Sequence, residues 1–427
     1  MKNKEITQEI ELPVAYRAKK KSKKVNAKSS AKKKSGKKTK NKKGEKRNAV
    51  FKLSFLVFAI LFIAFLSLNS FDSITLENVT GGFNGFFEQF QKGDGFPYQS
   101  DAGSFNNIDI MGNKLVVLKS DSSIVFNSTA KKLLTQQHTF TDPAIKVKNG
   151  RILLFDRGSG RFMIHTRSEL LYEKTMSDDI LTAEIGKRGN CAIATSSSSA
   201  ASVLTVFDKN QQEVFVWRCS AEYISDISLS DNGKSVAIAV IGSKNAEIYS
   251  KIHIFNFDSN EPLASFDFKD TTLFNVTYLS NATITAQGDK RHIVIENRKT
   301  LKQDESLGTD YYTSFYEHES GKTTFARSDF GGGNNRIYTY NSRGKLLFEK
   351  EIDAIPKSIS CDLDYTVILT EKKLIYINNN GVVVNELDLN YTGTKVVLKG
   401  GTVYVLGNAV IEQYRVDNKN SDNDNQS

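Results

Sequence analysis

A residue able to cap a turn recurs along this chain at nearly constant spacing, each time where a strand-like apolar run ends. Asn127, Thr166, Asp208, Asp258, Asn297, Asn341, Asn378 and Asp417 are separated by 39, 42, 50, 39, 44, 37 and 39 residues. A few polar residues and another apolar run follow each of them, as in LTVFDKNQQEVFVW, IYTYNSRGKLLF and LIYINNNGVVV. Runs rich in Val, Ile, Phe, Tyr and Thr, split by Asp, Asn, Gly and Ser, read as strands. A period of roughly 40–45 residues is that of a four-stranded propeller blade. The spacing therefore predicts an all-β fold, a β-propeller of eight four-stranded blades over residues 108–417. Seven is the alternative if the weakest repeat, 273–313, does not count.

The clearest unit shows how the period divides. ISDISLS is the innermost strand, KSVAIAV the second, KIHIFNF the third and PLASFDF the fourth. Asp231, Asn232 and Gly233 between the first two supply the positive-φ residues of a tight hairpin. The long spacing of this unit is assigned to an extended connection, GSKNAEIYS, between its second and third strands. The last repeat is incomplete. TKVVLKG, TVYVLG and AVIEQYRV give three strands, and the remaining NKNSDNDNQS is too polar for a fourth. An open last blade would leave a sheet edge free to pair with other chains. A strand from upstream of the first blade, SITLENV or FPYQS, is therefore expected to close the ring.

With these residues in view, ISLSDNGKSVAIAV resembles the strand–turn–strand signature of TolB-like and WD40-like propellers. The whole layout is similar to a bacterial family of membrane-anchored propellers of unassigned function. The chain departs from true WD40 repeats in lacking their Trp-Asp and Gly-His dipeptides. It also has a single tryptophan, Trp217, where quinoprotein propellers place one in each blade.

The N-terminal part obeys a different logic. Residues 1–48 hold 19 basic and 4 acidic residues, a balance of +15, whereas 49–427 hold 39 and 44, a balance of −5. The overall charge of +10 thus belongs to the tail. Leu53–Leu68 reads LSFLVFAILFIAFLSL without a charge, and Ala49, Val50 and Phe51 extend it past Lys52. About twenty apolar residues suffice to span a bilayer. The long preceding region and the lack of a small-x-small site argue against a cleaved signal peptide. Residues 49–69 are read as one transmembrane helix, and the basic residues before it keep the N-terminus cytoplasmic. The tail is too polar to fold. Its Lys32, Lys33, Lys34, Lys37, Lys38, Lys42, Lys43, Lys46 and Arg47 are expected to contact anionic lipid. Nucleic acid is disfavoured for want of interleaved aromatics and arginines. Residues 70–107 carry Phe83, Phe86, Phe87 and Phe90 on one face of a short helix, besides the closing strand, and 418–427 form a disordered end.

Motifs for chemistry are sparse. Cys191, Cys219 and Cys361 match neither a disulfide framework nor a zinc pattern and are read as buried core residues, with a Cys191–Cys219 bridge as the lesser alternative. SGKTT at 320–324 lacks the upstream glycine and the helix of a phosphate loop and is read as a blade turn. RGSGRF and SDFGGGNNR are read as hairpin turns. The histidines are scattered, with His165, His253 and His292 near third strands. YYTSFYEH lies on an innermost strand. No motif asks for a metal or other cofactor. Asp109, Glu184 and Asp226 fall on or near innermost strands and are the candidate channel-mouth positions. The reading is a non-enzymatic scaffold, anchored in the cell membrane, that binds an envelope protein or a cell-wall glycan outside the cytoplasm. The alternative is a propeller lyase, lactonase or glycan hydrolase, and clustered channel carboxylates would favour it.

Overall fold

The turn-capping residues do what their spacing implies. Asn127 Oδ1 accepts hydrogen bonds from the backbone N–H groups of Thr129 and Lys131. Asp208 does the same for Asn210 and Gln212, Asn341 for Arg343 and Lys345, and Asn378 for Asn380 and Val382. Thr166 plays the part through its hydroxyl, accepting from Ser168 and Glu169. A short polar side chain that satisfies two backbone donors lets the chain reverse without stranding them. That device recurs between the third and fourth strands of blades 1, 2, 3, 6 and 7; in blade 4 Ser259 accepts from Glu261 N–H instead, and in blade 5 Asn297 takes a positive φ of 53°.

The structure, a computed structural model, describes residues 92–101, 103–306, 311–329, 331 and 333–416. The tail, the proposed transmembrane helix, the Phe stripe and SITLENV lie outside the described residues, as does Asp417. Among the described residues no helix is long and apolar enough to cross a membrane.

Eight four-stranded antiparallel sheets form the ring. Blades 1 to 7 are consecutive meanders over 105–137, 143–175, 180–219, 223–269, 273–306, 311–352 and 358–388. Blade 8 takes three strands from 395–415 and its outermost from Tyr98–Gln99. The closing strand is thus FPYQS, with Tyr98 opposite Ile411 and Gln99 opposite Val410. Its rings lock the seam. Tyr98 lies 4.8 Å from Phe126 and 6.3 Å from Phe105, and Phe96 packs edge-on against Tyr404 at 5.1 Å. The repeat at 273–313 is a true blade, and blade 1 begins slightly earlier than expected, at Phe105.

Two local readings need correction in blade 4. GSKNAEIYS is not a connection. The second and third strands, Ser235–Lys244 and Glu247–Asn256, stay in register through Lys244 opposite Glu247. They turn on Asn245 and Ala246, both at positive φ, which is the two-residue geometry that matches strand twist. The first turn of the blade has only Gly233 at positive φ (69°), and Ser230 caps it by accepting from Ser235 N–H.

The core lies between blades. One buried cluster joins Ala194, Leu204 and Val206 of blade 3 to Ile227, Val236 and Ile238 of blade 4, and another joins blades 4 and 5. At about 25 cal/mol per Å² of apolar area removed from water, such seams dominate the stability of a ring whose sheets are individually two-faced. Small polar side chains stitch neighbouring innermost strands at the axis. Ser228 Oγ accepts from Tyr278 N–H, Ser314 from Ile359, Ser358 from Val396 and Ser360 from Leu398. All three cysteines are buried and free, so Cys191 and Cys219 do not pair. His165, His253 and His292 lie on third strands as expected, and SGKTT falls at a first turn.

Because every blade is an up-and-down meander, its connections sort onto two faces. The turns after first and third strands lie on one face, the turn face. The loops after second and fourth strands lie on the other, the loop face.

Candidate functional site: the central channel and its mouth

Innermost strands alternate residues between the blade seams and the axis, so charge placed on alternate positions must line the channel. Asp109 of blade 1, Lys146 and Lys148 of blade 2, Glu184 of blade 3, Asp226 of blade 4, Glu317 of blade 6 and Lys395 of blade 8 all do so. The three expected positions, Asp109, Glu184 and Asp226, are therefore gathered in one channel. They come with partners that the sequence reading missed.

Lys146 Nζ is 3.2 Å from Glu184, and that carboxylate holds the lysine well above its ordinary pKa. Lys148 Nζ is 3.8 Å from Glu317, which raises it as well. Blades 2 and 6 stand opposite each other in a ring of eight, so this pair bridges the axis at the turn-face end of the first strands. Glu317 also accepts from Thr277 Oγ1 at 2.7 Å. Beyond it, Lys399 of blade 8 reaches Glu319 of blade 6 at 2.6 Å, and Lys187 reaches Asp231 at 2.8 Å. Side chains thus cross the channel at its turn-face end.

Asp226 Oδ2 accepts from the Val276 N–H at 2.9 Å and from the Asn275 amide at 3.2 Å. Burial outweighs the pull of Lys146 and pushes its carboxyl up to about 6. Burial also raises Asp109 and depresses Lys395, a lysine that donates to Asn107 Oδ1. Tyr316, buried beside Asp109, is held well above its usual value. Burial penalises every lone charge, and here Lys146 and Lys148 are paired with Glu184 and Glu317.

The loop-face mouth is different. Tyr223, Phe274 and Tyr311 stand at the start of the innermost strands of blades 4, 5 and 6, with exposures of 61%, 37% and 38%. Phe274 meets Tyr312 edge-on at 4.5 Å. The long hairpin of blade 4 rises on this face and adds exposed Ile248. The described loop-face connections hold eleven acidic residues and four basic ones, Arg157, Lys290, Lys357 and Lys372. The turn-face connections reverse the balance, with eleven basic residues and eight acidic.

The missed channel residues had a signal. IKVK in blade 2 puts two lysines on alternate positions of a strand whose other positions are apolar, and Glu317 ends YYTSFYE in the same way. Tyr223 had none, since an aromatic at a strand start reads as core.

The ring is similar to several solved propellers. Sqt1 of Chaetomium thermophilum, in a structure bound to the N-terminus of the ribosomal protein L10, is 12% identical over 76% of this chain and all of its own, with a TM-score of 0.53. The C-terminal WD40 domain of Sif2 is 10% identical over 74% of this chain and 98% of its own, at 0.54. The dihydro-heme d1 dehydrogenase NirN is 11% identical over 71% of this chain and 74% of its own, at 0.51. At such identities the likeness establishes the propeller fold alone. Among curated proteins none matches the sequence. A family model does match, over residues 97–415, which takes in every described strand of the ring including the closing one. The chain belongs to that family, described as a family of unknown function, DUF5711.

Proposed function

We propose that the chain is a binding scaffold, tethered to the cell membrane by residues 49–69, whose propeller receives an extracytoplasmic protein partner on its loop face. One observation carries this reading. Three exposed aromatic rings from adjacent blades ring the mouth of a channel that opens on an acid-rich face and is crossed by ion pairs at its far end. Large rings with little rotamer entropy are the side chains that most often anchor interfaces. Their acidic surroundings favour a basic, extended segment of the partner. That a propeller of this fold, Sqt1, binds another protein's N-terminus supports the mode and not the partner.

A second reading, hydrolytic or eliminative chemistry in the channel, draws on Asp226, whose carboxyl is pushed up to about 6 in a channel it shares with Glu184. A general acid needs such a value. It also needs a lone pair or proton free to reach substrate. Here Glu184 is engaged by Lys146, and Glu317 by Thr277 and Lys148. Asp226 is held by Val276 and Asn275. The binding reading uses these groups as they stand.

The test is photo-crosslinking in the native cells, with a benzoylphenylalanine at Tyr223 or Phe274 of the full-length protein. A version lacking residues 17–47 and an anchor-only version, residues 1–70, run alongside. Recovery of one partner from both positions, with and without the tail but not from the anchor alone, is the expected result. No specific adduct from either position would overturn the reading and turn attention to channel chemistry.

A further inference from the structure

The turn face carries a patch that the binding reading leaves unused. Leu363 and Val382 of blade 7 are 64% and 54% exposed, and Leu346 and Leu347 of blade 6 are also exposed. Two contacts link the turns that carry them. Asn379 Nδ2 donates to the Leu363 carbonyl at 2.8 Å, tying the two turns of blade 7 together. The second of these turns rests at Gly381 on Phe348 of blade 6. Arg343 and Lys345, both exposed, project from the adjoining turn of blade 6. Leu363 is itself flanked by Asp362 and by exposed Asp364, so the cations of the blade 6 turn supply the charge that an anionic surface above the aliphatic tips would meet.

We propose that the turn face of blades 6 and 7 lies on an anionic phospholipid surface, with the leucines and Val382 entering the headgroup layer. Two independent observations choose this occupant. The chain reaches the ring on the turn face, where Gly93 and Gly95 N–H donate to Thr129 of blade 1's third-to-fourth-strand turn. The apolar segment 53–68 lies upstream of that point. The charge polarity then sets the orientation, because basic turns are drawn to anionic lipid and the acid-rich loop face is repelled by it. Several turn-face acids are already engaged. Asp231 and Glu319 are paired with lysines, and Asp362 accepts from three backbone N–H groups. The orientation leaves the aromatic mouth pointing away from the membrane, which is what the proposed partner site requires. The inference rests on that tethered reading for the chain-entry argument, and on the charge of the turn face independently of it.

The three native cysteines are buried, so Leu363→Cys and, separately, Tyr223→Cys can carry a solvent-sensitive fluorophore in the full-length protein. The protein is mixed with, or reconstituted into, vesicles of phosphatidylcholine with and without phosphatidylglycerol, each including brominated lipid. The expected result is a blue shift and strong quenching at 363 only when phosphatidylglycerol is present. Added salt, or Arg343→Glu with Lys345→Glu, should reverse it, and the label at 223 should stay unquenched. Quenching at 223, or none at 363, would overturn the proposal. An equal shift at 363 caused by soluble polyphosphate over neutral vesicles would also overturn it, with a polyanion as the occupant. Alkaline carbonate extraction of the same vesicles reports on the anchor separately, since lipid contact at 363 is read whether or not the chain resists extraction.

Discussion

The two faces of this ring are built from the same repeat yet carry opposite chemistry. On the turn face the third-to-fourth-strand connections of blades 1, 2, 3, 6 and 7 are each held by an Asn, Asp or Thr that folds back on its own backbone, as at Asn341 and Asn378. On the loop face the connections vary, from the two residues of blade 4's hairpin to the six between blades 7 and 8. The turn face is constrained by folding, so its composition repeats and its charge is that of the residues tolerated beside a cap. The loop face is free of that constraint. There blades 4, 5 and 6 have acquired exposed rings where blades 1 and 2 begin with Phe105, which is buried, and Pro143. The proposed recognition site lies where the ring departs from its repeat, as loops on a rigid scaffold allow.

The sharpest way to break this comparison is to remove the rings together. Tyr223→Ala, Phe274→Ala and Tyr311→Ala combined should weaken partner binding by about 4 kcal/mol, roughly a thousandfold, since buried interface aromatics contribute about 2 kcal/mol or more each and do not add fully. The melting temperature should hardly move, because these rings are exposed. A large loss of stability with unchanged binding would mean that the mouth is structural.

The second test concerns the channel beneath. The Asp226 carboxyl is raised to about 6 in the folded protein from 3.8. The folded state therefore holds this proton more tightly, and the stability it adds is present below pH 3.8 and lost as pH rises through 6. At about 1.4 kcal/mol per unit, the difference in stability between Asp226→Asn and the parent should swing by about 2 kcal/mol in the variant's favour between pH 4 and pH 7. Parallel pH–melting curves would show that Asp226 is not desolvated. At the other end of the channel, Glu317→Ala removes the partner of Lys148 and Thr277, and chemical denaturation should show a loss of about 2 kcal/mol. Adding Lys148→Ala should recover part of it, since the stranded lysine goes too.

How far the sequence could carry these conclusions depended on which constraint was local. Eight blades with seven as the alternative, the order of strands and a closing strand from upstream, SITLENV or FPYQS, were legible, because capping, alternation and the need to cover an edge act within a few residues; only the pairing of Tyr98 and Gln99 selects FPYQS. The extended hairpin of blade 4 was read as a connection because Gly242 and Ser243 look like loop residues. Only the register, with Gly242 against Tyr249 and Ser243 against Ile248, shows them as paired strand. Asp109, Glu184 and Asp226 were candidates for the channel mouth, and what was legible was their place on first strands. Their partners Lys148 and Glu317 were not legible, since a contact between opposite blades joins residues 169 apart in the chain, and nothing local announces it. The crescent of Tyr223, Phe274 and Tyr311 was hidden for the same reason, as three strand-initial aromatics become one surface only when the ring closes.

The smallest effect is expected on the turn face, and it tests the comparison from the other side. If Leu363 and Val382 stand free of the fold, then Leu363→Ser with Val382→Ser should change stability by no more than about 0.5 kcal/mol, as exposed substitutions do. A residue 64% exposed gives up little contact when truncated. Two neighbours could falsify that expectation: Phe348, against which the Gly381 turn rests, and Asn379, whose amide holds the Leu363 carbonyl. A loss of 2 kcal/mol in denaturant would show that the aliphatic tips brace these two turns, and the patch would then be fold and not surface. A negligible loss leaves two solvent-exposed apolar side chains on an otherwise capped and polar turn face, a cost that a contact outside the chain has to offset.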